Sequence, residues 1–362
     1  MLYFVFLTHH CNLKCKYCGE TKNPKARSSK EIKYSLETLT KFISSDPEPI
    51  IAFYGGEPLL KIDSLERIMD KITNAVFVLQ TNGLLLENVR LSYLNRLSTI
   101  LVSIDGTTGT TDIYRGKGTY KRIMKNLNAI RKNGYNGDLI ARMTVSSKSN
   151  IYEDVTHLIN LSNPSFNHVH WQLDVIWNEK EQYKGFKKWV RTTYNPGVTK
   201  LVNEWVDTIS EMHKVPGIVP FQGIIHSLLT GVETGLRCGA GVDAFAIQTD
   251  GTIYACPVCP EFDDFKVGTI FNSIPENIKE SLLIHYPCIT CEVYSICGGR
   301  CLFTNRHNFW DDDFFTVCET VKYLISELGR IKPIIEKMIM KGDIKIEMFE
   351  YPRFNNTTEI IP

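Results

Sequence analysis

Residues 3–18 read YFVFLTHHCNLKCKYC, an apolar run followed by a polar loop that carries three cysteines. The run Tyr3–Leu7 is typical of a buried strand, because it is short, apolar and preceded by no basic segment. It is also too short to cross a membrane, which takes about 20 apolar residues. We therefore predict a strand that delivers Cys11, Cys15 and Cys18 to one tight loop with the spacing C-x3-C-x2-C.

The composition is that of a soluble globular protein, with 362 residues of which 43% are apolar and 22% charged. This length has room for one large domain and a smaller module. The net charge of +1 gives no reason to expect nucleic acid or an anionic membrane as a partner, and we predict a cytoplasmic protein. In that reducing compartment the eleven cysteines are expected to hold metal rather than to form disulfides.

Between the first cysteines and Cys238 the chain alternates short apolar runs with segments of helical periodicity. The predicted strands are Tyr3–Leu7, Ile50–Tyr54, Ala75–Gln80, Ile100–Ile104, Leu139–Val145 and His168–Leu173. The predicted helices are Glu31–Ile43, Asp63–Ile72, Asn88–Leu94, Thr119–Lys132, Ile151–Leu161 and Asn195–His213. Repeated strand–helix units predict a parallel sheet with right-handed crossovers. The fold class is therefore α/β, a partial (β/α)6 TIM barrel that stays open because two further units are missing.

Three thiolates on one loop suit the corners of a cubane iron–sulfur cluster. A cubane has four irons, so three cysteines leave one iron open to bind a substrate atom. The alternative is a structural zinc site, which usually takes four protein ligands and would need His9 or His10 as the fourth. In either interpretation the loop binds metal.

The loop and its position after the first strand resemble the signature of the radical S-adenosylmethionine (radical SAM) family, whose pattern has an aromatic residue where this chain has Tyr17. The resemblance implies a catalytic [4Fe–4S] cluster on Cys11, Cys15 and Cys18. It also implies that the open iron chelates the amino and carboxylate groups of S-adenosylmethionine (SAM).

Further residues of the family pattern lie where the predicted strands end, which is where parallel barrels place ligand sites. Residues 53–58, FYGGEP, match the family's GGEP element, and two adjacent glycines let backbone approach a ligand closely. By resemblance the contacts to SAM come from Tyr17, Gly55, Gly56, Glu57, Ser103 and Arg142. Arg115 is either the partner of the SAM carboxylate or a salt-bridged surface arginine.

A second group of cysteines lies around a predicted hairpin of Phe245–Thr249 and Thr252–Ala255. Its members are Cys238, Cys256, Cys259, Cys288, Cys291, Cys297, Cys301 and Cys318. Such spacings also suit a pair of zinc knuckles. The series resembles the SPASM extension of radical SAM enzymes, a small cysteine-rich C-terminal module that holds two auxiliary [4Fe–4S] clusters.

The resemblance implies two interleaved ligand sets, which would staple a module that has little core of its own. The first auxiliary cluster takes Cys238, Cys256 and Cys301. The second takes Cys288, Cys291, Cys297 and Cys318. Either Cys259 is the fourth ligand of the first cluster, or that cluster is open and binds substrate directly.

One departure from the family pattern bears on the substrate. In the sulfatase-maturing enzymes an acidic residue that acts as a base follows the hairpin cysteine, whereas Pro257 follows Cys256 here. This weakens a sulfatase-maturing role, and Asp243, Asp263 and Asp264 are the candidates to replace the missing acid.

These observations divide the chain into a radical SAM partial barrel at 1–225, a SPASM module with a C-terminal helix at 226–342, and a loose tail at 343–362. The resemblance implies an oxidoreductase that reductively cleaves SAM to a 5′-deoxyadenosyl radical and abstracts hydrogen from a peptide or protein. The implied cofactors are three [4Fe–4S] clusters and SAM, and the implied electron donor is a ferredoxin or flavodoxin. Two alternatives stay open: the same chemistry on a small-molecule precursor, and a non-enzymatic iron–sulfur electron-transfer protein.

Overall fold

The computed structural model of the chain describes residues 1–18, 31–175, 185–260, 262–307, 312–355 and 361–362. Within these ranges one nine-stranded sheet has the order β6-β5-β4-β3-β2-β1-β7-β8-β9. The strands are β1 (Leu2–Thr8), β2 (Ile50–Gly55), β3 (Val76–Thr81), β4 (Leu97–Ser103), β5 (Asp138–Val145), β6 (His168–Leu173), β7 (Ala244–Ile247), β8 (Thr252–Tyr254) and β9 (Lys266–Thr269).

Strands β1 to β6 pair in parallel and in sequence order, so the predicted partial barrel is confirmed. The sequence did not reveal that the hairpin of the cysteine-rich region joins the same sheet. β7 pairs in parallel with β1, with Leu2 opposite Ala244, and β8 and β9 continue the sheet in antiparallel fashion. Backbone hydrogen bonds therefore connect the barrel directly to the C-terminal region.

The helices are α1 (Leu36–Ile43), α2 (Ile62–Lys71), α3 (Leu91–Leu94), α4 (Thr108–Arg115), α5 (Thr119–Lys132), α6 (Ile151–Ile159), α7 (Phe186–Trp189), α8 (Asn195–Met212), α9 (Val219–Thr230), α10 (Pro275–Ile278), α11 (Tyr294–Cys297), α12 (Leu302–Arg306) and α13 (Asp312–Lys341). The first predicted helix begins at Leu36 rather than Glu31, after the cap that Ser35 provides. Six helices were not predicted, and four of them, α7, α10, α11 and α12, have only four or five residues. Of the other two, α4 is short and mostly polar, and α9 is buried on most sides and so lacks a polar stripe. No helix in the described ranges is both long and apolar enough to cross a membrane.

The two faces of the sheet have different surroundings, because neighbouring residues of a strand point to opposite faces. On the outer face, Tyr3, Val5 and Leu7 of β1 join the main hydrophobic core. The inner face has a second core at the amino ends of the strands, formed by Leu2, Phe4, Phe6, Ala52, Val78, Leu101, Ile140, Ala244, Ala246 and Phe354. Towards the carboxyl ends the inner positions become polar, as at Ser103 and Arg142. The barrel thus has an apolar floor and a polar mouth.

The residues from Tyr351 were expected to be a loose end, and the structure corrects this expectation. Phe354 is only 8% exposed and completes the apolar floor of the barrel. Asn355 Nδ2 donates to Asp138 Oδ2 at 2.5 Å and to the Tyr351 hydroxyl at 3.2 Å. The floor of an open barrel must be shielded from water, which is a requirement of the folded sheet and not of the tail's own sequence. Residues 356–360 lie outside the described ranges.

We predict that Phe354→Ala lowers the apparent free energy of unfolding by about 3–5 kcal/mol, because it opens a cavity in the floor. Anaerobic denaturant unfolding measures the change. The control is Met340→Ala, a side chain that is 80% exposed, for which the change should stay within about 0.5 kcal/mol. Equal values for the two variants would mean that the segment is not docked in solution.

Candidate functional site

The cysteine loop is held against the end of β2 by glycine backbone. The Thr8 carbonyl accepts from the Gly56 N–H at 2.9 Å, and the His10 carbonyl accepts from the Glu57 N–H at 2.8 Å. A Cβ at Gly56 would lie 2.4 Å from the His10 carbonyl oxygen, and a Cβ at Gly55 would lie 2.2 Å from that of Thr8. Only glycine allows so close an approach, so the Gly-Gly pair seats the cysteine loop.

The carboxylate of Glu57 is fully buried and is used within the protein. It accepts hydrogen bonds from the Leu59 N–H at 3.0 Å, the Thr81 hydroxyl at 2.8 Å and the Asn82 N–H at 2.8 Å. Burial raises the pKa of Glu57, and these donors act against the rise. The Glu57 side chain therefore connects the end of β2 to the end of β3. A contact of Gly55, Gly56 and Glu57 with the cofactor stays a prediction, and it would involve their backbone groups.

Asn82 was not predicted as a site residue, and the structure brings its amide to the cysteine loop. Its Nδ2 lies 3.7 Å from the Cys11 sulfur and donates to Asn12 Oδ1 at 2.6 Å. The Leu13 N–H also donates to the Cys11 sulfur, at 3.4 Å. These donors orient Cys11 and favour its thiolate. The signal in the sequence was an Asn-Gly pair directly after a buried strand.

Asp105, directly after β4, joins the cysteine loop to two neighbouring elements. Its carboxylate accepts from the Tyr17 hydroxyl at 2.7 Å, from Arg115 Nε and Nη2 at 2.8 Å each, and from the Thr144 N–H at 3.0 Å. Asp105 is fully buried and Arg115 nearly so. Donors from the loop, from α4 and from β5 therefore satisfy one buried charge.

Arg115 makes the salt bridge that the alternative interpretation allowed, although it does so inside the protein rather than at the surface. Its guanidinium lies 5.4 Å from the centre of the Tyr17 ring, and that ring packs against Tyr114 with the ring centres 5.5 Å apart. The Tyr17 hydroxyl and the Arg115 guanidinium both donate hydrogen bonds to Asp105. Tyr17 and Arg115 thus position the loop, and a direct contact of either one with SAM stays a prediction.

The three thiols of the loop lie near one another, since Cys15 interacts electrostatically with both Cys11 and Cys18. Cys11 is exposed, and the other two are half-buried. Burial raises the pKa of Cys15 to about 11, against which the charge of Arg115 acts. Within the described ranges no three ligand-type side chains converge on one ion position. A cubane spreads its thiolates over separate irons, so this donor set fits such a cluster.

A polar layer at the mouth of the barrel was only partly predicted. Ser103 of β4 pairs with Arg142 of β5, and Arg142 pairs with His170 of β6, whose ring is hydrogen-bonded to the guanidinium. The structure therefore brings the predicted Ser103 and Arg142 together. It adds His170 and Gln172, which were not predicted. Their signal is the alternation HVHWQL over His168–Leu173, with polar side chains at every second position of a buried strand.

In the C-terminal region five cysteines line one cavity. They are Cys288, Cys291, Cys297, Cys301 and Cys318. Four of these form the set predicted for the second auxiliary cluster, whereas Cys301 was assigned to the first. Burial raises the pKa of Cys297 to about 11 and that of Cys318 to about 12. A cavity lined by this many sulfurs fits an iron–sulfur cluster.

Three cysteines of the other predicted set pack in an apolar cluster, which Cys288 of the cavity also contacts. Cys238, Cys256 and Cys259 lie there with Ala255 and Phe265. Cys259 is fully buried, and its N–H donates to the Cys256 carbonyl at 3.2 Å in the turn after β8. No disulfide joins any of the eleven cysteines, all of which lie in the described ranges.

The structure corrects the proposal that Asp243 replaces the missing acid. The Leu2 N–H donates to the Asp243 carbonyl at 2.9 Å, so Asp243 lies at the amino end of β1, opposite the cysteine loop. Its carboxylate pairs with Arg353 at 2.8 Å. Asp263 and Asp264 begin a short 3-10 turn before β9 and are exposed.

Comparison with known proteins finds a family whose pattern includes the cysteine loop. Residues 5–161, from β1 to just past α6, match the radical SAM superfamily. Over 92% of its length this chain superposes on the whole of anSMEcpe with bound AdoMet, with a TM-score of 0.71 and 20% identity. The anSMEcpe protein has also been solved with AdoMet and the Cp18Cys peptide.

Two further proteins are similar over most of the chain. SuiB of Streptococcus suis, bound to the precursor peptide SuiA, matches 83% of this chain and 71% of its own, with a TM-score of 0.54 and 14% identity. The radical SAM cyclopropyl synthase TigE of Paramaledivibacter caminithermalis is 22% identical over 380 residues, which covers 93% of this chain and 75% of TigE. At such identities the structural likeness is one of fold.

We predict that Asp105→Ala destabilises the protein by about 3–5 kcal/mol, because it leaves the buried guanidinium of Arg115 without its partner. Anaerobic denaturant unfolding measures the loss. The matched control is Asp70→Ala, which removes an exposed ion pair with Arg96 at 3.0 Å and should cost about 0–1 kcal/mol. If both variants unfold alike, the buried pair does not anchor the loop.

Proposed function

Because residues 5–161 match the radical SAM superfamily, we propose that the chain is a radical SAM oxidoreductase that modifies peptides or proteins. The match implies an enzyme that uses a [4Fe–4S] cluster and SAM. When bound, these groups supply the one-electron cleavage of SAM and the 5′-deoxyadenosyl radical that removes hydrogen from the substrate. The chain's own residues hold the groups, orient them and keep water away.

The cysteine loop is the proposed cradle of the catalytic cluster. Cys11, Cys15 and Cys18 each hold one iron, and the fourth iron is left for the amino and carboxylate groups of SAM. Support comes from the nearness of the three thiols and from the donors that orient Cys11. The buried Asp105 keeps the loop still through Tyr17.

The proposed SAM contacts lie around the mouth of the barrel. The glycine backbone of Gly55 and Gly56 lies beside the loop, where a carbonyl can accept from the ammonium group of SAM. Ser103 and Arg142 supply a hydroxyl and a guanidinium on the inner face. The pairing of Arg142 with His170 keeps that guanidinium on the inner face of the sheet.

The proposal of a peptide substrate rests on the fold likeness to anSMEcpe. This likeness extends past the barrel into the C-terminal region. It covers 92% of the chain, and the structure of anSMEcpe has also been solved with a bound peptide. An open barrel supports this proposal, because a polymer can enter from the side and does not need to fit inside a closed pocket. A small-molecule precursor is the alternative outcome of the test.

Two auxiliary [4Fe–4S] clusters complete the proposal. Support for the second cluster comes from the cavity that Cys288, Cys291, Cys297 and Cys318 line. The first takes Cys238, Cys256 and Cys301, with Cys259 as the fourth ligand. These clusters can accept the electron left on the substrate, and a ferredoxin or flavodoxin is the proposed external donor.

The catalytic role of the loop is tested by SAM cleavage. We expect the anaerobically reconstituted enzyme to form 5′-deoxyadenosine from SAM and dithionite, and Cys15→Ala to lower the rate at least a hundredfold, because one iron loses its ligand. Chromatography measures the product. The matched control, Cys291→Ala, keeps 5′-deoxyadenosine formation.

With a genomically adjacent peptide as substrate, mass spectrometry should detect a modified product only for the wild-type enzyme. Deoxyadenosine without any change in the peptide would favour the small-molecule alternative.

The number of clusters is tested by iron and sulfide analysis. Three cubanes predict about 12 irons per chain. We expect Cys259→Ala to lose up to about 4 of them, since a buried ligand is removed, while Val258→Ala at the exposed neighbouring position retains all. Unchanged iron in Cys259→Ala would instead favour an open first auxiliary cluster.

A further inference from the structure

Arg300 is a buried cation in the wall of the cysteine-lined cavity, between Cys297 and Cys301 in the sequence. The residue is 9% exposed. A guanidinium cannot be neutralised by losing its proton, so a buried one requires anionic or polar surroundings. Its Nε donates a hydrogen bond to the main-chain oxygen of Pro362 at 3.0 Å. Arg300 lines the cavity together with Cys297 and Cys318, so its charge also acts on the space that these thiols share.

The backbone at Arg300 is strained for a residue with a side chain. Gly298, Gly299 and Arg300 have φ values of 68°, 90° and 53°. The first two are glycines, for which a left-handed conformation is easy. At Arg300 the same conformation is sterically unfavourable, and glycine would avoid this cost. An arginine kept at such a position points to a function of its side chain.

The backbone at Arg300 is directed at the sulfur of Cys297, one of the cysteines that line the cavity. The N–H groups of Gly299 and Arg300 both donate to the Cys297 thiol. Successive amides in this kind of turn form a concave nest that attracts anions. Amides and guanidinium therefore place positive potential on one side of the cavity.

The second cation of the cavity wall, Lys322, is in a different environment. Its ammonium is partly exposed and pairs with Glu292 at 2.8 Å. Water and the carboxylate screen this charge, whereas the charge of Arg300 acts through protein of low dielectric. The two cations therefore differ in effect although both line the cavity.

We propose that Arg300 is a positioning residue whose guanidinium raises the reduction potential of the iron–sulfur cluster held by Cys288, Cys291, Cys297 and Cys318. The inference rests on the proposed function, because it requires a cluster in this cavity. Reduction adds one negative charge to the cluster and its thiolates, and a nearby buried positive charge stabilises the reduced form more than the oxidised form.

The test is a dithionite titration of the full-length holoenzyme followed by electron paramagnetic resonance. The signal that disappears in Cys297→Ala identifies the cluster of the cavity. Arg300→Gln removes the charge but keeps an N–H donor for Pro362, and Arg300→Lys keeps the charge. Both variants retain the strain at this position, so they differ chiefly in charge.

We expect Arg300→Gln to lower the equilibrium constant for reduction at least tenfold, which is about 59 mV for a one-electron couple. Arg300→Lys should stay within threefold of the wild type, and so should the control Lys322→Gln. Loss of the cluster in Arg300→Gln alone would also support a requirement for charge. Equal potentials in all variants, or equal loss of potential or cluster in the Gln and Lys variants, would overturn the proposal.

A different result is expected if the proposed auxiliary cluster, on which this inference rests, is absent. A wild-type enzyme with about 4 irons and no signal that depends on Cys297 would mean that the cavity holds no cluster. In that case the proposed auxiliary cluster itself is wrong. If the cluster is present and its potential is insensitive to Arg300, only the inference about Arg300 fails.

Discussion

The buried ion pair between Asp105 and Arg115 is the constraint on which the rest of the site depends. A carboxylate in a protein interior is unfavourable unless donors satisfy it, and here they come from three separate elements. Through Tyr17 the pair reaches into the cysteine loop. The loop itself has little apolar surface to bury, so its geometry comes from this polar anchor and from the glycine backbone of β2.

The parallel sheet brings the anchored cysteine loop together with the other residues of the site. All six barrel strands run in one direction, so their carboxyl ends meet at one edge, and the loops after them share one space. The inner face changes from an apolar floor to a polar mouth along the same strands. The floor is shielded by Phe354 from a distant part of the sequence, which leaves the mouth as the open end.

The C-terminal region is an extension of the same sheet, with a cysteine-lined cavity beyond it. β7 is hydrogen-bonded to β1, the strand that delivers the first cysteines. Apolar residues such as Phe265 and Leu302 form a small core there, and sulfur ligands joined by metal would add to its cohesion. A buried arginine in the cavity wall is costly to the fold unless anionic or polar groups surround it.

The sequence by itself determined the order of strands and helices, the two cysteine groups and the family resemblance, because these depend on local spacing and on periodicity along the chain. Tyr17, Ser103, Arg142 and the glycines could be picked out in the same way. Only the tertiary structure decided the partners: Asp105 for Arg115, Asn82 for Cys11, and Phe354 for the barrel floor. Contacts between residues far apart in the chain depend on how strands are arranged side by side, and no local pattern in a single sequence encodes that arrangement.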